Sequence, residues 1–256
     1  MNHIRENTES FNSLFRAVNL GAEDKKAKTE QILSYLEVID AQAKKFSHKR
    51  RLVAVDCAAG NCWLSFLVYH YYADIMKRDI EIHCIDRNGR LMEKARALSE
   101  KLGFVNMVFH SGDILDAGLN KPVDILYTLH ACDDATDKAL YFGLTHKAGL
   151  IFSVTCCQHS MTRQFRGKIL KGMTRYKSIR TRLVYFVADT MRAHLVALQG
   201  YEVDVFDFTS ARNTDKNIMI RAKRNSQIKK GQLEEEYRYL RRNFAMKPYL
   251  EKLLEG

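Results

Sequence analysis

Short apolar runs that alternate with segments of helical periodicity limit this chain to one broad kind of fold. Residues 52–55, 80–85, 107–110, 123–129 and 150–155 read as strands, and residues 63–77, 90–102 and 134–144 read as the helices between them. Strands that are apolar along their whole length are buried on both faces. Strands joined through helices run parallel, so the pattern predicts a doubly wound α/β sheet covered on both sides. A last helix at 184–198 leads into strands at 201–208 and 217–222, joined through TSARNTD without a helix. That pair predicts an antiparallel hairpin at one edge.

Helices are expected at both flanks. Residues 25–46 place Ile32, Leu33, Leu36 and Ile39 on one face of an amphipathic helix, and a weaker pattern covers 9–18, with a joint near Gly21. The tail from 232 to 255 reads as charged helix broken at Pro248. The expected organisation is a helical extension (1–47), a central domain (48–225) and a C-terminal helix (226–256). A chain of 256 residues buries a self-supporting core without disulfides. No stretch approaches the roughly 18 apolar residues of a membrane span, so no membrane contact is expected. The N-terminus lacks the apolar core of a secretory signal, which predicts a cytoplasmic protein with reduced cysteines.

Three acidic residues sit at or just past the ends of three successive strands: Asp56 in VAVDCAAGN, Asp86 in IHCIDRNGR and Asp113 in VFHSGDILD. Ligands of open α/β sheets lie outside the carboxyl ends of the strands, where a carboxylate can accept from ribose hydroxyls. Each residue could alone be a helix cap, but three in order make a constellation. The first loop reads D-C-A-A-G-N, not G-x-G-x-x-G, so the pyrophosphate cradle of a dinucleotide site is missing. With Ala58, Gly60, Arg87, Ile114 and Leu129 beside the acids, the set resembles the class I S-adenosylmethionine-dependent methyltransferases. That resemblance implies a Rossmann-like methyltransferase sheet and S-adenosyl-L-methionine as cofactor, with Asp86 as ribose partner and Asp113 at the adenine amino group. Ala58 stands where the usual pattern has glycine.

Two further motifs follow later strands, LHACDDATD at 129–137 and TCCQH at 155–159. With NTDKNIMIRA at 213–222 they resemble a methyltransferase family that includes the tRNA acceptor-stem 2′-O-methyltransferases, over roughly residues 28–223. The tRNA enzymes carry KHLCGxATD and CCHH forms and a separate zinc finger, so this chain differs at Leu129, Ala131, Asp133 and Gln158 and has no such finger. Methyl transfer from a sulfonium is an in-line displacement. The protein therefore supplies position and, for a weak nucleophile, a base. His130, Asp133, Asp137 and His159 are the candidates for that work. Asp137 lies one helical turn beyond Asp133, so both could face the same way, although Asp133 could equally cap the helix. Cys156, Cys157, Arg163, Arg166, Arg212 and Asn217 are the candidates for contacting the acceptor. Cys132, Cys156, Cys157 and His159 form a conceivable zinc set, but adjacent cysteines seldom both aim at one centre and no C-x-x-C pair supports them, so no metal is expected.

Lys and Arg number 41 against 30 Asp and Glu, and the excess is concentrated. No acidic residue falls between Asp137 and Asp189, and residues 163–182 carry eight basic residues interleaved with Phe165 and Tyr176. A segment of this kind beside the acceptor motif predicts an RNA substrate bound largely through phosphates; the alternatives are a protein side chain or small molecule as acceptor, or a catalytically silent RNA-binding module.

Overall fold

The computed structural model describes all residues except 1, 2, 21–24, 167–169, 226 and 229; the expected joint at Gly21 and the charge of Lys168 lie outside the described residues. The chain opens with helices α1 (His3–Glu6), α2 (Thr8–Ala17) and α3 (Lys25–Ala43). It then alternates through β1 (Leu52–Cys57), α4 (Trp63–Tyr69), β2 (Ile80–Asp86), α5 (Gly89–Leu102), β3 (Met107–Ser111), β4 (Ile125–Ala131), α6 (Asp134–Thr145) and β5 (Leu150–Thr155). Helices α7 (His159–Gln164), α8 (Lys171–Thr174) and α9 (Lys177–Leu198) lead into β6 (Tyr201–Asp207) and β7 (Ile218–Arg224). The tail forms α10 (Lys230–Phe244) and α11 (Tyr249–Glu255), with Pro248 as the residue before α11.

The seven strands form one sheet in the order β3-β2-β1-β4-β5-β7-β6. Strands β1 to β5 pair in parallel, and β7 runs antiparallel to both β5 and β6. This is the Rossmann-like methyltransferase topology that the alternation predicts, edge hairpin included. Strand order reverses between β1 and β4, so the loops leaving those two strands part and open a crevice at their carboxyl ends.

Helices cover both faces because every central strand is apolar on both. One cluster holds Phe11, Phe15, Ile32, Leu36 and Phe66 with Ile82 and Tyr127; the other holds Leu140, Met191, Val196 and Leu250 with Leu126 and Ile151. The N-terminal helices therefore share the core of the sheet. Tyr35 of α3 buries its hydroxyl 3.0 Å from the Thr128 carbonyl and 2.9 Å from that of Phe152, which fastens α3 to β4 and β5.

A charged knot lies inside the second cluster. Arg192 of α9, with 0% exposure, donates to both carboxylate oxygens of Asp137 on α6 at 3.0 and 2.8 Å, to Gln158 Oε1 at 2.7 Å and to Asp189 at 3.3 Å. Asp189 also accepts from Thr155 and Gln158. Asp137 thus belongs to the core and not to the acceptor mouth, contrary to the one-turn spacing argument. Asp133, with φ 51° and ψ −119°, turns the chain immediately before α6 begins, so the two carboxylates diverge. Removing one partner of such a group leaves a buried charge uncompensated. Arg192→Leu is expected to destabilise the fold by about 3–5 kcal/mol in urea denaturation, whereas replacing Arg192, Asp137 and Asp189 together by apolar residues should cost much less.

Candidate active site

The turn after β1 carries three residues with left-handed backbone: Ala58 (φ 59°), Gly60 (φ 54°) and Cys62 (φ 57°). Two of them pay the penalty of a Cβ in that region, roughly 1–2 kcal/mol each, and strain of this kind collects where a chain must turn sharply around a ligand. A Cβ built on Gly60 meets nothing within 4 Å, so the glycine serves the turn and leaves open floor beside it. Asp86 ties this loop to the end of β2, accepting from the Gly60 amide on one oxygen and the Asn88 amide on the other, each at 2.8 Å.

Two cavities meet at Ala58. The first, about 300 Å³, is lined by Asp86, Arg87, Asp113 and Ile114, with Lys138 of α6 and Tyr249 of α11. The second, about 230 Å³, is lined by Asp56, Gly60 and Leu129, with Lys28, Trp63 and His130. All eight residues expected at the cofactor therefore stand on the walls of one divided crevice. The first cavity suits an adenosine, with Asp86 at its sugar end. Burial opposes ionisation of Asp113, but Lys138 and then Arg87 overcome it and hold the carboxylate well below its usual range. In the second cavity Asp56 is buried and its acidity is weakened, with a pKa raised to about 7. Desolvation is the main cause and the nearby Asp86 charge adds to it, against a 2.6 Å hydrogen bond from Ser65. A pocket with a buried carboxylate and mixed polar and apolar walls fits the zwitterionic methionyl end of a sulfonium cofactor, and the tight turn without a phosphate cradle fits a ligand without phosphates.

At the acceptor end, α3 contributes a relay. The ammonium of Lys28 donates to Gln31 Oε1 at 3.0 Å, which orients the Gln31 amide so that its nitrogen donates to His130 Nε2 at 2.7 Å. His130 Nε2 is then an acceptor, and the ring proton sits on Nδ1, which is buried without a partner among the described residues. Burial, reinforced by the Lys28 charge, lowers the His130 pKa to about 4. His130 is therefore a neutral donor in the wall of the second cavity, and its one lone pair is already engaged.

Asp133 is not a free base either. Its carboxylate accepts from the amide of Ser160 at 3.0 Å and from the Ser160 hydroxyl, which fixes the start of α7. His159 is exposed at the first position of α7, with no side-chain bond among the described residues. Cys156 and Cys157 are half-buried beside Cys132, all three sulfurs lying within 4.8 Å of one another. Burial and then the neighbouring Cys157 and Cys156 push the Cys132 thiol up to about 12. This convergence corrects the expectation that adjacent cysteines point apart. Strand β5 ends at Thr155, so Cys156 and Cys157 occupy a loop where strand alternation no longer applies.

Arg163 is exposed, while Arg166 donates through Nη1 to three nearby carbonyls and so braces its own turn. Arg212 is exposed in the β6–β7 loop; Asn217 is buried and donates to the Thr209 carbonyl, as a turn residue does. Lys28, Gln31, Trp63, Lys138 and Tyr249 were not anticipated as site residues. Periodicity in α3 marks Ile32, Leu33, Leu36 and Ile39 as its apolar face, but nothing local signals that Lys28 and Gln31 reach the crevice wall.

Two measurements probe the cofactor walls. Asp86→Ala is expected to weaken S-adenosylmethionine binding by about 1–3 kcal/mol in calorimetric titration, since it unties Gly60 as well as removing an acceptor. An unchanged affinity overturns that role. Asp56 is half protonated near pH 7 in the free protein, and a cationic ligand binds its ionised form. Affinity should therefore rise about tenfold per pH unit below 7 and level off above it, and Asp56→Asn should abolish the slope.

A methyltransferase-domain family model matches residues 27–164. Among solved structures, the CurJ carbon methyltransferase aligns at 12% identity over 84% of this chain and 59% of its own, with a TM-score of 0.52. A class I S-adenosylmethionine-dependent methyltransferase assigned as putative, from Listeria monocytogenes, aligns at 15% identity over 87% of this chain and 70% of its own, with a TM-score of 0.50. The chain spans only 35% and 52% of the coclaurine N-methyltransferase and the citrinin polyketide synthase methyltransferase domain, which it matches at lower TM-scores. No curated protein matches. No helix among the described residues is long and apolar enough to cross a membrane. With more than half of its length matched and the crevice of that fold built by its own residues, the chain belongs to the methyltransferase-domain family.

Proposed function

We propose that the enzyme methylates structured RNA, with a tRNA-like molecule and a ribose 2′-hydroxyl as the leading acceptor, in the reducing cytosol where its six unbridged cysteines persist as thiols. One observation carries the reading: an acid-free basic surface is braced onto the acceptor loop. Arg163, Lys171, Arg175, Lys177 and Arg182 are all exposed, and Tyr176 among them is 63% exposed. Arg180 bonds the Thr162 carbonyl at 3.3 Å and lies over the Phe165 ring at 5.6 Å. It joins the start of α9 to α7, the helix that His159 opens. Cations spaced along such a surface neutralise phosphates, and an exposed tyrosine between them offers a face on which an unpaired base can stack.

S-adenosylmethionine, when bound, supplies an electrophilic methyl group on its sulfonium. The chain's own residues supply the rest. His130 stands neutral in the crevice wall, Asp133 holds the β5–α7 loop in place through Ser160, and His159 has a ring nitrogen available to take the proton from a hydroxyl. The motifs LHACDDATD and TCCQH, which resemble those of the tRNA acceptor-stem enzymes, lie in the two loops that meet here.

The test uses methyl-labelled S-adenosylmethionine with a desalted extract from cells lacking the gene, followed by parallel nuclease and protease digestion. Label released by nuclease alone is the expected result; label released by protease alone overturns the RNA assignment in favour of a protein acceptor, and label confined to small molecules overturns it as well. Arg175→Glu with Lys177→Glu should also flatten the dependence of log affinity for RNA on log salt by roughly 2, about one per lost phosphate contact.

A further inference from the structure

Three cysteines from two separate loops converge in this protein, and the backbone holds them together. The amide of Cys156 donates to the Ala131 carbonyl at 3.2 Å, and the amide of Asp133 donates to the Cys157 carbonyl at 2.9 Å. Cys132 lies between those two anchor points on one loop, and Cys156 and Cys157 are the partners on the other. The clamp brings all three sulfurs within 4.8 Å of one another. Tetrahedral zinc with Zn–S bonds of about 2.3 Å places its sulfurs roughly 3.8 Å apart, so closing onto an ion takes about 1 Å or less of side-chain motion.

We propose that Cys132, Cys156 and Cys157 bind a thiophilic divalent metal ion of the zinc class through three thiolates, with the fourth coordination position open. Among the described residues no fourth histidine, cysteine or carboxylate joins the cluster. Cys132 is exposed, so the open position faces solvent. Three protein ligands with one exchangeable position is the arrangement of catalytic zinc, and thiolates select zinc over the harder magnesium and calcium. The surroundings suit a complex with three anionic ligands. Lys28 lies close enough to Cys156 for their charges to interact, and it lines the same cavity as His130. Loading exchanges three thiol protons, released to the buffer, for one cation. The open position then stands beside the acceptor mouth, where a water or an acceptor heteroatom can occupy it. This inference does not depend on the acceptor being RNA.

The experiment is metal titration of the full chain, reduced and metal-free, with Zn²⁺ read against a chromophoric chelator and with Co²⁺ read by absorption. One ion per chain is expected, with Co²⁺ producing the intense near-ultraviolet bands of thiolate-to-metal charge transfer. Cys132→Ser, Cys156→Ser and Cys157→Ser should each weaken Zn²⁺ binding by more than the roughly 10- to 100-fold typical of losing an outer-shell partner. Cys132 is exposed, so its serine variant reads the site even where the half-buried positions perturb folding. Unchanged Zn²⁺ affinity in Cys132→Ser, Co²⁺ spectra without charge-transfer bands, or a disulfide within the cluster that persists in a cytosol-like glutathione buffer would each overturn the proposal.

Discussion

One side of the crevice is organised around one fully buried guanidinium. Arg192 takes a carboxylate from α6, a carboxylate from its own helix and an amide oxygen from the loop after β5. Three elements that would otherwise meet only through apolar contact are fixed in angle as well as distance, because a planar fork accepts few orientations. Gln158 is oriented from both ends, donating to Asp189 and accepting from Arg192, so the loop carrying Cys156, Cys157 and His159 leaves β5 in one direction only. The position of the mouth is thus decided in the core, some way from any acceptor.

The cofactor side uses a different device. Its walls are loops under backbone strain, stitched by single hydrogen bonds to carboxylates: Asp86 to Gly60 and Asn88, Asp113 to Leu115. Beneath them a chain of hydroxyls runs from Tyr127 through Ser65 to Asp56, which keeps a carboxyl group tolerable in a buried place. One face of the crevice is therefore rigid through ionic packing, and the other is strained and charged at its rim.

Much of this was legible in the sequence. Apolar runs at period-breaking intervals gave away the parallel sheet, and the three strand-end acids marked the crevice because a parallel sheet sends all its carboxyl ends to one edge. Boundaries shifted where tertiary packing extended an element: β4 runs on to Ala131, and α9 begins at Lys177, so part of the basic segment is helical. The acceptor residues were harder. Asp137, His130 and Asp133 have the composition of catalytic groups, and their partners Arg192, Gln31 and Ser160 lie 55, 99 and 27 positions away. Only the fold shows which carboxylate or imidazole is already engaged. The cysteine cluster was set aside as a metal site for a related reason, since the rule that adjacent side chains diverge holds on a strand and lapses one residue beyond its end.

Lys28 and Tyr249 stand 221 positions apart in the chain, yet one lines the cavity at Asp56 and the other the cavity at Asp113. A cofactor that fills both therefore works as a crosslink between the two ends of the polypeptide. A ligand bound across both cavities would suppress the local opening of α3 and α11 together, and its departure would restore it. Two helices that flank the sheet in sequence would thereby report whether the crevice is occupied.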